Sequence, residues 1–113
     1  MHRNLLSVND ISRSDIENIL RLSKEMEQNP DKYLSTLSGK SLAIAFFEPS
    51  TRTRIGFSLA MQKLGGHIVE ISETKHKDEM SSPESMEDTL KVISDYVDII
   101  ALRSGSEKFI HNI

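Results

Sequence analysis

Ser41-Leu42-Ala43-Ile44-Ala45-Phe46-Phe47 is a short run that is apolar after its first residue. A run that brief and continuous suits a strand covered on both faces, as the strands of a parallel sheet are. Such a strand needs a helical layer on each side. From about Thr51 to Leu64 the apolar period changes, with Ile55, Phe57, Ala60, Met61 and Leu64 expected on one helical side. Gly65-Gly66 then supplies a left-handed stop. His67 to Ser72 reads as a second strand, Ser85 to Val97 as a capped amphipathic helix carrying Met86, Leu90, Ile93 and Val97, and Asp98 to Arg103 as a third strand. Strand, helix, strand, helix, strand makes two right-handed crossover units. The expected fold class is therefore α/β, a parallel sheet with helices on both faces. Upstream, Ser12 and Asp15 are spaced as a capping box and Ile11 and Ile16 as a hydrophobic staple. The stripe Ile16, Ile19, Leu20 and Met26 predicts a core-facing helix that Asn29-Pro30 ends.

A chain of 113 residues suffices for one compact domain and is too short for the two domains common among enzymes that join two substrates. The net charge of -3 gives no global attraction to nucleic acid or to an anionic membrane, so an anion site must come from a local cluster of Arg and Lys. The absence of cysteine excludes disulfides, thiolate metal sites and a cysteine nucleophile, and fits a reducing compartment. His2, His67, His76 and His111 are too scattered for metal-ligand spacing, so no metal is expected. The longest apolar stretch, Leu42 to Phe47, is far below membrane-spanning length, and no apolar leader opens the chain. A cytoplasmic location is the expectation.

Two stretches of chemistry fall on one rim. In open parallel sheets ligands bind outside the carboxyl ends of the strands, and the pattern puts Glu48 to Arg54 at the end of the first strand and Arg103 at the end of the third. A helix N-terminus offers unpaired N–H groups and partial positive charge, and Ser50, Thr51 and Thr53 add hydroxyls, which together make a phosphate cradle. Arg52 can add a planar fork of donors that a lysine could not imitate. Two arginines in a first helical turn oppose the helix dipole, which argues for an anion opposite Arg52. Arg54, set further into the turn, fits an anion no better than it fits solvent or a neighbouring carboxylate.

Phe46-Phe47-Glu48-Pro49-Ser50-Thr51-Arg52-Thr53-Arg54 followed by Leu64-Gly65-Gly66 closely resembles the carbamoyl-phosphate motif of the transcarbamoylases. It is closer to the aspartate than to the ornithine branch, which usually carries an extra residue between the Glu and the Ser. The likeness extends through Leu6-Ser7-Val8-Asn9-Asp10-Ile11-Ser12 and from Glu84-Ser85-Met86-Glu87-Asp88-Thr89-Leu90 to Leu102-Arg103, nearly the whole chain. It implies an N-terminal carbamoyl-phosphate-binding domain over residues 1–113, truncated, with the amino-acid-binding domain absent. It also implies transfer of a carbamoyl group from carbamoyl phosphate to L-aspartate, an early step of pyrimidine synthesis, without a cofactor. In that family the residues matching Ser50, Thr51, Arg52 and Thr53 hold the phosphate, and those matching Thr53 and Arg103 also polarise the carbamoyl carbonyl. The expected catalytic residues are Arg52, Thr53 and Arg103. The expected assembly is a homotrimer, with or without regulatory chains, in which a loop reaches the neighbour's site.

Three departures accompany the likeness. Family chains are nearly three times as long, so the chain reads as a fragment that is inactive alone. The family's mobile loop normally reads Lys-Gly-Glu, where this chain has Ser82-Pro83-Glu84, leaving Lys75 and Lys77 as the nearby lysines of the charged stretch Glu73 to Pro83. After Arg103 the family continues with His and Pro, here Ser104-Gly105-Ser106, and the common Ser-Phe-Glu after the motif is here Gly56-Phe57-Ser58. Two other readings stay open: an ornithine carbamoyltransferase fragment, and a non-catalytic anion-binding or subunit-interaction module.

Overall fold

The structure, a computed structural model, describes residues 4–71 and 86–104. The chain forms two compact units, Met1–Tyr33 and Leu34–Ile113.

In the first unit, short polar side chains start the first two helical segments. Ser7 caps a 3-10 turn at Val8–Asp10, while the Asp10 carboxylate accepts from the Leu6 and Ser7 N–H groups at 2.8 and 3.0 Å. Ser12 and Asp15 form the expected reciprocal box, each accepting the other's N–H at 3.0 Å, and open helix α1 (Arg13–Gln28). Helix α1 stops at Asn29, and a 3-10 turn follows over Pro30–Tyr33. Its apolar stripe does not meet the expectation of a core face: none of its residues is buried, with Ile16, Ile19 and Leu20 exposed and Met26 half-buried. An amphipathic face becomes core only where a second apolar surface covers it, and a unit of one helix and two turns contains none.

The second unit is built on strand β1 (Ser41–Phe46) with β2 (His67–Ile71) and β3 (Ile99–Arg103). The sheet is parallel in the order β2-β1-β3, with Ala43 opposite Val69 on one side and Ile100 on the other. The register against β3 is pinned at the start of the strands, where the Asp98 carboxylate accepts from the Ser41 N–H at 2.8 Å and the Asp98 N–H donates to the Ser41 carbonyl at 3.1 Å. Helix α2 (Thr51–Lys63) connects β1 to β2, and helix α3 (Met86–Ile93) precedes β3. Because the two crossovers leave in opposite directions, the right-handed rule puts their helices on opposite faces.

The core is centred on β1, all of whose residues after Ser41 are buried. Leu42, Ile44 and Phe46 cluster with Met61 of α2, with Leu37, Ile68 and Ala101 packed against them. Ala43 and Ala45, which alternate to the other face, are also fully buried, as is Leu90 of α3. Burying a side chain such as Ile44 or Leu90 stabilises the fold by about 1.5–3 kcal/mol relative to leaving it exposed. Helix α2 departs from the sequence reading: Met61 is buried and Leu64 half-buried, but Ile55, Phe57 and Ala60 are exposed. A single layer over the sheet covers only the residues that meet β1 and β2, and apolar positions elsewhere on the helix stay open.

The helix ends as its sequence predicts. Gly65 has φ +87°, its N–H donates to the Gln62 carbonyl and the Gly66 N–H to the Met61 carbonyl, the paired bonds of a Schellman cap. Three boundaries move inward: β1 ends at Phe46 rather than Phe47, α3 ends at Ile93 rather than Val97, and β3 begins at Ile99 rather than Asp98, whose side chain is occupied by the Ser41 clamp. Ser72, Ser85 and the charged stretch Glu73 to Pro83 lie outside the described residues. No helix among the described residues is long and apolar enough to cross a membrane.

Candidate functional site

Parallel pairing carries β1 and β3 to the same rim, with Arg103 opposite Phe46. The pairing continues one residue past the strand, because the Phe47 N–H donates to the Arg103 carbonyl at 2.8 Å. Glu48-Pro49-Ser50 then turns the chain into α2, whose first intrahelical bond runs from the Arg54 N–H to the Ser50 carbonyl at 3.0 Å. The N–H groups of Thr51, Arg52 and Thr53 belong to the opening turn that has no helical acceptor.

Ser50 occupies the cap position of α2 but makes no side-chain cap bond, at φ -158° and ψ 72°. Its hydroxyl instead accepts from Nη1 of Arg103 at 2.7 Å, joining the two halves of the rim. No acid lies in the first turn of α2, so its partial positive charge is not offset from within the helix. The five expected residues therefore converge: Ser50, Thr51, Arg52 and Thr53 on the turn and Arg103 across from them.

The three arginines have different surroundings. Arg52 is exposed, and among the described residues no carboxylate lies within ion-pair distance of it. Arg103 has Glu48 beside it, Nε to Oε1 3.6 Å. Arg54 pairs with Glu70 of β2, Nη1 to Oε1 2.8 Å, and its guanidinium lies 5.8 Å from the centroid of the Phe46 ring. Of the surroundings open to Arg54 in the sequence, the structure gives it a carboxylate.

Sequence reasoning missed both carboxylates. Glu48 could have been found, since it lies two residues before Ser50 on the same turn. Glu70 gave no local signal, because its approach to Arg54 depends on the packing of α2 against β2. Lys75, Lys77, Ser82, Pro83 and Glu84 lie outside the described residues, as do Gly105 and Ser106.

The family model of the aspartate/ornithine carbamoyltransferase carbamoyl-phosphate-binding domain matches residues 3–113. The chain belongs to this family. Among curated members, the aspartate carbamoyltransferase catalytic subunit of Clostridium novyi is 42% identical over 105 residues, covering 93% of this chain and 34% of the relative. The solved catalytic subunit of Methanocaldococcus jannaschii aspartate transcarbamoylase superposes with a TM-score of 0.82 at 41% identity, over 97% of this chain and 36% of that one. Trypanosoma cruzi aspartate transcarbamoylase, solved with carbamoyl aspartate and phosphate, gives a TM-score of 0.83 at 28% identity over 97% and 36%. The fold is thus that of the transcarbamoylase carbamoyl-phosphate-binding domain, and this chain spans about a third of the length of the relatives it matches.

Proposed function

We propose that the rim formed by Ser50, Thr51, Arg52, Thr53 and Arg103 binds the phosphate of carbamoyl phosphate, and that residues 1–113 act as the N-terminal carbamoyl-phosphate-binding domain of a cytoplasmic aspartate carbamoyltransferase. The observation that carries this is the bond from Arg103 to Ser50, which joins the third strand to a helix N-terminus whose side chains leave it uncapped. Backbone N–H groups and a planar guanidinium can then meet the same phosphoryl oxygens.

In the reaction the amine of L-aspartate attacks the carbamoyl carbon, its lone pair forming the new C–N bond. The carbonyl electrons move onto oxygen to give a tetrahedral oxyanion. That oxyanion collapses, the C–O bond to phosphate breaks, and the surplus proton of the attacking amine passes to the departing phosphate. Thr53 and Arg103 stabilise the oxyanion, while Arg52 and the turn hold the departing phosphate. Catalysis of this kind is positioning plus electrostatic stabilisation, where one well-aimed donor is worth about a hundredfold to a thousandfold in rate. Aspartate is favoured as acceptor over ornithine by the names of the matched curated relatives and by the single residue between Glu48 and Ser50. A homotrimer, with or without regulatory chains, follows from the same family reading.

Titration calorimetry with phosphate and with carbamoyl phosphate tests the site. Arg52→Ala is expected to weaken both by about tenfold to a hundredfold, the equivalent of about 1.5–3 kcal/mol for a charged hydrogen bond. Unchanged binding in that variant refutes the assignment.

A further inference from the structure

The pairing of Arg54 has a consequence for which anions the rim accepts, and the inference drawn from it rests on the phosphate-binding reading above. Three permanently charged guanidiniums stand near one helix N-terminus, where cations are disfavoured. Within α2 an acid four residues beyond Arg54 could offset its charge, but that position is Ser58, and the first turn contains no acid. The compensating charge comes from another element, Glu70 of β2, at 2.8 Å. The Phe46 ring at 5.8 Å holds the same guanidinium from β1.

We propose that Glu70 is a specificity-determining residue of the anion site: by engaging Arg54 on the sheet side, it limits the charge of the rim to what one phosphoryl group needs. Arg103 is already shared with Glu48, which leaves Arg52, of these three arginines, as the one without a carboxylate partner among the described residues. Removing the Glu70 charge adds one uncompensated cation in the first turn of α2. The anion bearing more charge gains most from it, because each added unit on the ligand adds its own Coulomb attraction.

The test is calorimetric measurement of pyrophosphate against phosphate affinity in the 113-residue chain, at low salt. Glu70→Gln keeps the shape of the side chain, and the pair is partly exposed, with side-chain accessibilities of 33% and 49%, so its loss should cost little stability. The ratio of pyrophosphate to phosphate affinity is expected to rise about threefold or more in Glu70→Gln. It should stay near the parent value in Glu70→Asp and return to it in the double variant Arg54→Met/Glu70→Gln. A merely structural role would weaken both anions together and leave the ratio alone. An unmoved ratio in Glu70→Gln, an equal rise in Glu70→Asp, or a rise that survives in the double variant overturns the proposal. A parent chain that binds no phosphate overturns the reading beneath it as well, whereas phosphate binding with an unmoved ratio removes only the role of Glu70.

Discussion

Serine at a helix cap is usually judged by what its oxygen does for the helix, and Ser50 gives its oxygen to Arg103 instead. Replacing a capping serine by alanine typically costs about 1 kcal/mol. Ser50→Ala is therefore expected to cost less than about 0.5 kcal/mol in a melting experiment, well short of that cap value. The same variant should weaken phosphate binding about fivefold, the scale of one lost hydrogen bond. A full cap-sized loss of stability with unchanged binding would show that the hydroxyl serves the helix. The residues of this turn were legible because hydroxyls and arginines at a strand-to-helix junction are a local pattern. The partners Glu48 and Glu70 were not, because a carboxylate becomes a partner only through the geometry of the folded rim.

Element by element, the ends of the helices are encoded locally. Ser12 with Asp15 opens α1, and Gly65 closes α2, because caps are written in a few adjacent residues. The layer that covers an apolar face is remote information, so periodicity alone does not show that Ile16, Ile19 and Leu20 of α1 and Ile55 and Phe57 of α2 are exposed. The two left-handed glycines among the described residues separate backbone strain from crowding. Gly39, at φ +80°, has open space where a Cβ would sit, whereas a Cβ on Gly65, at φ +87°, would lie 2.5 Å from the Leu34 carbonyl oxygen. Gly39→Ala is expected to cost about 1–2 kcal/mol, the left-handed penalty alone. Gly65→Ala should cost at least about 1 kcal/mol more, since backbone must also shift. Equal midpoints of chemical unfolding for the two variants would show that the contact with Leu34 yields without cost.

At the scale of the whole molecule, the proposed rim serves the phosphate of one substrate, and among the described residues none is assigned to the carboxylates of the other. Holding an amine in line with a carbonyl is worth up to about 7–11 kcal/mol of barrier, so this chain alone should form carbamoyl aspartate at a rate far below the roughly ten per second typical of enzymes. A colorimetric ureido assay with both substrates checks this. The same assay on a chain extended to the length of its relatives should show turnover, with light scattering giving three chains per particle. Rapid turnover by the short chain, or an active single extended chain, contradicts the expectation. The bond between Arg103 and Ser50 spans 53 residues of sequence. A nascent polypeptide therefore holds the hydroxyls and Arg52 long before it owns the other jaw. On the proposed reading the two sides of the site meet only once the third strand has docked beside the first, so the full anion affinity waits on that pairing.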